Sequence, residues 1–417
     1  MSQRRGPTQY VLWAAIGLLP ALSLSIPSGY SVGSLMLVGL GLAHLFRRDT
    51  APHWDASLTL FACATAAMGS LWVLDMLWRE PFVLNGLDRP LKYALALLAI
   101  PALTRGLPTL APLKWGIWFG AWGAACTAAW QTQVLNWDRA WGYTNAIPFG
   151  DTALLLGMWS WVWARTTDHK PSAWFGHSAA LAGSYACLAS GSRGAWLTAP
   201  VLVALVVWQT RRAIGIRVCH WAVVVSLVMG GMALGALWPQ VQSRINLATQ
   251  EIRLYTTTQQ SDTSIGQRLT HWQLAWDMGF QRPWLGWGQI GYEGEKLRRV
   301  EAGETPNVVL PFGHAHQEWL DMWVKKGLLG LVILAAFLLG PGWFYAKTLC
   351  GFSQAPVYSE RSAAALCGAL TVVGYVGFGM TQVMFAHNSS TLVYLFMNLV
   401  WLAALLPIQP PAHDTPH

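Results

Sequence analysis

Residues 313–330 read GHAHQEWLDMWVKKGLLG and join two very different parts of the chain. They end a polar segment, residues 239–326, which is too long and too charged to be a membrane helix, and they open an apolar run. Elsewhere the sequence consists of apolar runs separated by short polar breaks. Because loops longer than about 12–15 residues tend to be functional or disordered, the polar segment is the first place to look for a site.

The composition is that of a polytopic membrane protein. Of the 417 residues, 54% are hydrophobic and 11% are charged, and the mean hydropathy is +0.36, whereas soluble domains contain about 25% charged residues. The 26 tryptophans fit this class, since Trp collects at membrane–water interfaces. The net charge of +8 is spread over short loops, which argues against a nucleic-acid partner. The 6 cysteines form no CxxC pair, and we interpret them as packing residues.

The apolar runs predict an all-α fold with about twelve transmembrane helices, since about 20 apolar residues cross a bilayer. The first run resembles a signal peptide, but no small-residue cleavage site follows it, and we expect a retained helix. The expected organisation is nine helices within 1–238, a large loop with the catalytic residues and short helices at 239–326, and three helices with a short tail within 327–417. The predicted spans are 9–26, 32–46, 57–77, 91–104, 115–135, 149–163, 173–189, 195–208, 218–238, 327–345, 362–385 and 391–406.

The basic residues of the short loops orient the chain. The opposite set of loops is poor in them, carrying Arg79, Arg89, Arg139 and Arg193. Cytoplasmic loops are the ones enriched in Lys and Arg, so both termini are expected inside and residues 239–326 outside. The rich set comprises Arg4, Arg5, Arg47, Arg48, Arg105, Lys114, Arg165, Lys170, Arg211, Arg212, Arg217, Lys347 and Arg361.

Arg193 lies in the small-residue stretch SGSRGAW, residues 190–196, at the predicted outer junction of two spans. An arginine at this depth is costly unless it is paired or faces a polar cavity. Since a guanidinium binds phosphate oxygens through two parallel hydrogen bonds, one interpretation is an anion clamp. The other is an interfacial arginine that reaches lipid phosphates.

Arg268 is predicted in the first turn of an amphipathic helix, where Ser264 and Gln267 have the spacing of a capping box. An apolar stripe with the helical period follows: Ile265, Leu269, Trp272 and Trp276. Free N–H groups and the helix dipole favour an anion at such a helix start. An arginine beside the apolar face of an interfacial helix, with no ligand, is the alternative.

His316 is expected to open a short helix that leads into the tenth span. A neutral imidazole can take a proton from a hydroxyl near neutral pH, which makes His316 a candidate base. Two alternatives stay open. His314 and His316, with Glu318 and Asp321 nearby, could hold a metal, or the histidine could be structural.

Taken together, these stretches resemble the Wzy-C superfamily of bacterial envelope glycosyltransferases, and within it the O-antigen ligases. The family pattern is a His followed by Asn, Ser or Gln, then nine residues, then Gly-x-x-Gly. His316 and Gln317, residues 318–326, Gly327 and Gly330 match it in full. The family also has an Arg in a small-residue motif and a second Arg early in the large loop. The arginines at 193 and 268 occupy these places, so the resemblance covers about 190–330.

The resemblance implies a fold of the glycosyltransferase C type, with its site on the periplasmic face of the bacterial inner membrane. It implies an undecaprenyl-diphosphate-linked glycan as donor, lipid A–core as acceptor, contacts with membrane lipid, and an inverting reaction without metal or cofactor. His316 would activate the acceptor hydroxyl while Arg193 and Arg268 hold the diphosphate leaving group. Further substrate contacts are expected from Ser192, His314, Gln317, Lys325, Lys326 and His387.

Other functions are distinguished by acceptor or by class. An O-antigen polymerase would use the same donor with a second lipid-linked glycan as acceptor, and a protein O-oligosaccharyltransferase would use a protein. A lipid-linked oligosaccharide transporter belongs to a different class, and transporters tend to place charges near the midplane. The charges in this sequence cluster at the predicted outer face, apart from residues such as Asp75 and Asp151. A structural scaffold would leave the His–Arg–Arg set unexplained.

Overall fold

In the computed structural model the chain is described over residues 7–46, 54–78, 84–104, 106–209, 238–258, 261–351 and 359–407. Within these ranges the regular structure is entirely helical, which agrees with the predicted fold class. The helices, in chain order, are α1 Pro7–Leu22, α2 Gly29–Leu45, α3 Ala56–Trp78, α4 Asp88–Ala99, α5 Ala111–Ala129, α6 Ala146–Ala164, α7 Lys170–Ser190, α8 Arg193–Gln209, α9 Trp238–Thr258, α10 Ser264–Gln281, α11 Gln289–Glu301, α12 Glu318–Gly351, α13 Glu360–Gly379 and α14 Asn388–Leu405.

Several of these helices have the length and apolar character of membrane spans. Four of them, α3, α12, α13 and α14, are long and apolar enough to cross a bilayer, and α1, α2 and α8 are shorter apolar helices. This agrees with an integral membrane protein, while the number of twelve spans stays a prediction. The predicted ninth span, 218–238, lies outside the described residues apart from Trp238, which begins α9.

The predicted spans differ from the observed helices by a few residues or more at their ends, and two of them are informative. The run 91–104 is a helix that begins earlier, at Asp88, and ends at Ala99, one residue before a short 3-10 turn. This helix contains an ion pair between Lys92 Nζ and Asp88 Oδ2, 2.6 Å apart. Asp88 lies before the start of the helix that hydropathy predicted. The run 362–385 is helical only as far as Gly379. Both predictions fall on helices but differ from them in their bounds, and it stays a prediction that the first helix, with 12 residues, spans the membrane.

The core lies around α13 and α14, which are the most enclosed of the long helices. Aromatic rings fill it, with Tyr394 lying 4.7 Å from Tyr375 and 5.0 Å from Phe337 between centroids. The Tyr394 hydroxyl donates to the Phe337 carbonyl at 2.9 Å and the Tyr375 hydroxyl to the Ser390 carbonyl at 2.6 Å, so that these buried hydroxyls are satisfied. Phe385 packs on the same cluster, which fixes the segment between α13 and α14.

The polar segment is a folded unit and not an open loop. Helices α10 and α11, the residues between α11 and α12, and the start of α12 enclose a small apolar core of their own. Its members come from four different parts of the segment and include Ala315, the residue between the two motif histidines: Leu274, Ala275, Met278, Tyr292, Val309, Ala315 and Val324. The packing of Ala315 ties the position of the motif to the fold of the whole segment.

A joint at Gly327 connects this unit to the rest of α12. Gly327 has φ +62° and ψ −156°, so the helical backbone is interrupted there, and only glycine adopts this region readily. A Cβ at Gly327 would lie 2.4 Å from the backbone carbon of Trp284. The segment after α10 fills the break, since Leu328 N–H donates to the Pro283 carbonyl at 2.7 Å and Leu329 N–H to the Trp284 carbonyl at 3.2 Å. This explains the first glycine of the motif, and the break coincides with the predicted boundary at 326.

Candidate functional site

Four histidine rings meet where the polar segment joins α12. Between centroids, the ring of His316 lies 4.4 Å from that of His314 and 5.1 Å from that of His271, both edge to face. Phe312 lies 4.6 Å from His316 in the same manner. His387, which precedes α14, lies 6.3 Å from His314. One cluster therefore combines side chains from α10, from residues 312–316 and from the start of α14.

The backbone of His316 is left-handed, with φ +55°, which costs roughly 1–2 kcal/mol for a residue with a side chain. Helix α12 begins only at Glu318, and the side chain of Gln317 caps it by accepting the N–H of Leu320 at 2.5 Å. The expectation that His316 opens the helix is wrong for this reason. Gln317, expected to contact substrate, is a buried capping residue instead. Backbone strain of this kind clusters at functional sites.

Buried charges hold the histidine turn in place. Lys325 Nζ donates to the Gly313 carbonyl at 2.8 Å, and Lys296 Nζ donates to the Phe312 carbonyl at 2.6 Å. Asp321 accepts the N–H of Ala315 at 2.9 Å and forms an ion pair with Lys325 at 2.7 Å. The backbone next to His316 is thus held by side chains of α11 and of α12.

Lys325 and Lys326 do not lie where the sequence interpretation placed them. They were expected to contact substrate, but only 0% and 2% of their surfaces are exposed. Lys326 forms an ion pair with Asp75 of α3 and donates to the Leu71 carbonyl at 3.1 Å. Since a buried cation needs a partner, both lysines are committed to carboxylates. We correct their role to positioning: Lys325 holds the histidine turn and Lys326 joins α12 to α3.

Glu318 and Asp321, considered as metal ligands beside the histidines, both have protein partners. Glu318 Oε2 accepts the N–H of Phe385 at 3.1 Å, and Asp321 pairs with Lys325. Within the ranges that the structure describes, no three His, Cys, Asp or Glu side chains are grouped as metal ligands. These two carboxylates stabilise the fold, and metal independence stays a prediction.

Arg268 lies within electrostatic reach of His316 and of two further arginines, Arg193 and Arg139. Burial lowers the pKa of Arg268, and the neighbouring charges of Arg193 and Arg139 lower it further. The side chains of Arg193 and Arg268 are half-buried, and neither forms a hydrogen bond or ion pair with another residue of the described ranges. A guanidinium carries five N–H donors and stays charged. The two arginines therefore present unused donors to whatever occupies this place.

A buried hydrogen-bond chain sets the position of Arg193 as the first residue of α8. Helix α7 ends at Gly191, which has φ +63°, and the chain then reverses into α8. Ser192 Oγ donates to Asp151 Oδ1 at 2.7 Å, while Ser192 N–H donates to Ser190 Oγ at 3.1 Å. Ser192 was expected to contact substrate, but it is fully buried and holds this turn. Its corrected role is to position Arg193.

The helix that carries Arg268 begins as predicted, but its cap differs. Thr263 is the capping residue, and its side chain accepts the N–H of Gly266 at 3.0 Å. Arg268 consequently lies in the second turn and not in the first, so it reaches the site as a side chain and not through the helix terminus. Leu269, Trp272 and Trp276 of the predicted stripe lie on one surface of the helix, and Trp276 is exposed. The face that packs inward consists of Gly266, Thr270, His271, Leu274, Ala275, Met278 and Gly279.

The environment keeps His316 neutral. Burial lowers its pKa to about 4, with the charge of Arg268 as the next cause. Burial likewise lowers the pKa of His314 and of His271 to about 3, and that of His387 to about 4. At neutral pH all four rings are therefore uncharged, and each has one nitrogen that can accept a proton.

Three residues of this site were not identified from the sequence. Arg139, in the segment between α5 and α6, was seen only as a loop arginine beside Asp138. His271 is fully buried on α10, and neither ring nitrogen has a hydrogen-bond partner among the described residues. Gln382 Nε2 lies 3.1 Å from His387 Nε2. None of the three lies in a motif, so only the tertiary structure brings them to the site.

Comparisons with known proteins agree with the resemblance. The family model Wzy_C, described as O-antigen ligase, matches residues 178–335, which confirms the family inferred from the motifs over that range. An uncharacterized protein of Haemophilus influenzae (strain ATCC 51907 / DSM 11121 / KW20 / Rd) is 25% identical over 282 residues, covering 66% of this chain and 69% of the relative. The matched family consists of glycosyltransferase-like enzymes, O-antigen ligases and polymerases, that act in general on a lipid-linked glycan and a lipid acceptor.

Proposed function

We propose that this protein is an O-antigen ligase that transfers a glycan from undecaprenyl diphosphate to a hydroxyl of the lipid A–core oligosaccharide. The observation that carries the proposal is a neutral, strained His316 within electrostatic reach of Arg268, which is in turn within reach of Arg193. Both arginines are half-buried and have no partner in the described ranges. These are the groups that acceptor activation and departure of a diphosphate require.

In the proposed reaction, the acceptor oxygen forms a bond to the anomeric carbon of the donor while the bond from that carbon to the diphosphate breaks. His316 takes the proton of the acceptor hydroxyl, and its neutral state is the one that can do so. Arg193 and Arg268 stabilise the negative charge that develops on the leaving diphosphate. Attack opposite to the leaving group inverts the anomeric centre, and no step calls for a metal ion.

The proposal also assigns a location. We place the protein in the bacterial inner membrane as a multi-pass protein with both termini in the cytoplasm and the site at the periplasmic face. The loop charges described above support this orientation. The helices with the length and composition of membrane spans support the multi-pass character.

Reconstitution tests the proposal. The purified protein would be given an undecaprenyl-diphosphate-linked glycan in liposomes, with lipid A–core, a second lipid-linked glycan or a peptide as acceptor. Transfer to lipid A–core is expected and should persist in excess chelator. Elongation of the second glycan instead would make the protein a polymerase, and modification of the peptide would make it a protein glycosyltransferase. His316→Asn is the matched inactive control, since Asn tolerates the left-handed backbone.

A further inference from the structure

Arg139 lies against the turn that positions Arg193. Its Nε donates to the carbonyl of Ser190 at 2.7 Å, which fixes the plane of the guanidinium. A Cβ built on Gly191, the next residue, would lie 3.3 Å from the same Nε. Arg139 thus contacts the turn at residues 190–191, two residues before Arg193.

The segment that carries Arg139 is pre-organised. The buried side chain of Gln131 accepts the N–H groups of Trp141 and Gly142 at 2.8 and 2.9 Å and donates to the Gly142 carbonyl at 2.7 Å. Next to Arg139, the N–H of Ala140 donates to the carbonyl of Ala189 at 2.9 Å. Gln131 belongs to a turn of π-helix at the end of α5, a feature that often occurs at functional sites. The loop therefore holds Arg139 in one place before any ligand arrives.

The charge of Arg139 acts on the site. Together with Arg193 it lowers the pKa of Arg268, beyond the effect of burial. Glu251 is the one carboxylate that offsets this effect on Arg268, and its Oε2 accepts the N–H of Ile265 at 3.2 Å. Three guanidiniums within electrostatic reach of one another repel, and binding of a doubly charged anion would relieve that repulsion.

We propose that Arg139 is a third phosphate-binding residue and that it gives the site its preference for a lipid diphosphate over a lipid monophosphate. This inference rests on the proposed function, which assigns Arg193 and Arg268 to the leaving group. A diphosphate bridge carries two phosphates, each with oxygens that accept bidentate hydrogen bonds from arginine. Arg193 and Arg268 are sufficient to bind one phosphate, and Arg139 would bind the other.

The surface around Arg139 has room for such a ligand. It borders an open groove of about 710 Å³ that Asn136, Asp138, Trp141 and Thr144 also line. Arg139 therefore lines a surface that a ligand can reach from outside the protein. A lipid-linked anion would meet Arg139 in this groove.

Binding measurements test this inference with the full-length protein in detergent. The probes are undecaprenyl diphosphate and undecaprenyl phosphate, titrated against the wild type, Arg139→Gln, Arg139→Lys and Arg282→Gln. Arg282 is the control because it is an exposed arginine of the polar segment that stacks on Trp287, with 3.9 Å between its Cζ and the ring centroid. Unfolding midpoints of all four proteins show whether each is folded.

The wild type and Arg282→Gln are expected to bind the diphosphate about 10-fold or more tightly than the monophosphate, the scale of one hydrogen bond to a charged group. Arg139→Gln should lose most of that preference, with little change for the monophosphate, and Arg139→Lys should fall between. Equal losses for both lipids in Arg139→Gln would mean that Arg139 only supports the Arg193 turn, and an unchanged preference would mean that it touches neither phosphate; each result overturns the inference.

If Arg139→Gln does not fold, Arg139→Lys decides by the same criterion, since it keeps the charge and loses the fork. A wild type that binds neither lipid would instead refute the proposed function, and this inference with it. A wild type that prefers the diphosphate while both Arg139 variants keep that preference would refute the inference alone.

Discussion

Two pairs of basic residues, Arg193 with Arg268 and Lys325 with Lys326, were both expected to contact the substrate when only the sequence was considered, the arginines at the diphosphate and the lysines as further contacts. The structure separates them. The lysines are buried and paired with Asp321 and Asp75, whereas the arginines are half-buried and have no partner in the described ranges. A buried lysine that is paired with a carboxylate stabilises the position of its neighbours and is not available to a substrate. A cation left beside other cations is placed for an anion that comes from outside.

The largest effect is expected from the lysine side. Lys325→Met leaves Asp321 buried without its partner, and breaking a buried pair in this way costs about 3–5 kcal/mol. Denaturant titration of the purified protein in mixed micelles measures the loss. The double variant Lys325→Met/Asp321→Asn should recover at least half of it, because no unpaired charge remains. A single variant as stable as the wild type would break the distinction between the two pairs.

The next effect falls on the arginine side and concerns activity. Arg268→Gln removes a donor to the leaving group, and loss of one such donor costs about 10²–10³-fold in rate. The unfolding midpoint should stay within error of the wild type, since Arg268 has no partner in the described part of the chain. Initial rates of glycan transfer and a parallel melt give both quantities. A variant that melts early and transfers at the wild-type rate per folded molecule would reverse the assignment.

The pH dependence of transfer sharpens the comparison further, because the charge of Arg268 lowers the pKa of His316. With the pKa of His316 at about 4, kcat/KM should be flat from neutral pH down to about pH 5 and fall near pH 4, as the base becomes protonated. Removing the charge of Arg268 favours the protonated imidazole and raises that pKa, so the acid limb of Arg268→Gln should move to higher pH. Single-turnover rates measure it, with Arg282→Gln as the control whose limb stays in place.

The smallest effect concerns the helix that presents Arg268. Thr263→Ala removes the observed cap of α10 and should cost about 1 kcal/mol of stability. Ser264→Ala, at the position where the sequence placed the capping box, should cost only a few tenths on the same scale. Comparing the two melts decides which residue caps the helix, and a larger loss for Ser264→Ala would contradict the structure.

The sequence identified His316, Arg193 and Arg268 because residue type and spacing along the chain are enough to find a motif. It misjudged Lys325 although Asp321, its partner, lies four residues away on the same helix. The partner of Lys326 is Asp75, some 250 positions earlier, and no local pattern reveals it. Arg139 was identified only as a loop arginine, because its hydrogen bond to the Ser190 carbonyl joins residues 51 positions apart.

The joint at Gly327 has a consequence for exchange of parts between related proteins. Backbone hydrogen bonds lock residues 283–284 to residues 328–329, and Gly286 packs against Lys325 so closely that a Cβ would lie 2.3 Å from its carbonyl carbon. The two stretches therefore behave as one unit, although residues 285–327 lie between them in the sequence. A chimera that takes the polar segment from a relative should be cut before residue 283 and after residue 330. A cut between these stretches would combine contact residues from two different proteins and would displace the histidine turn.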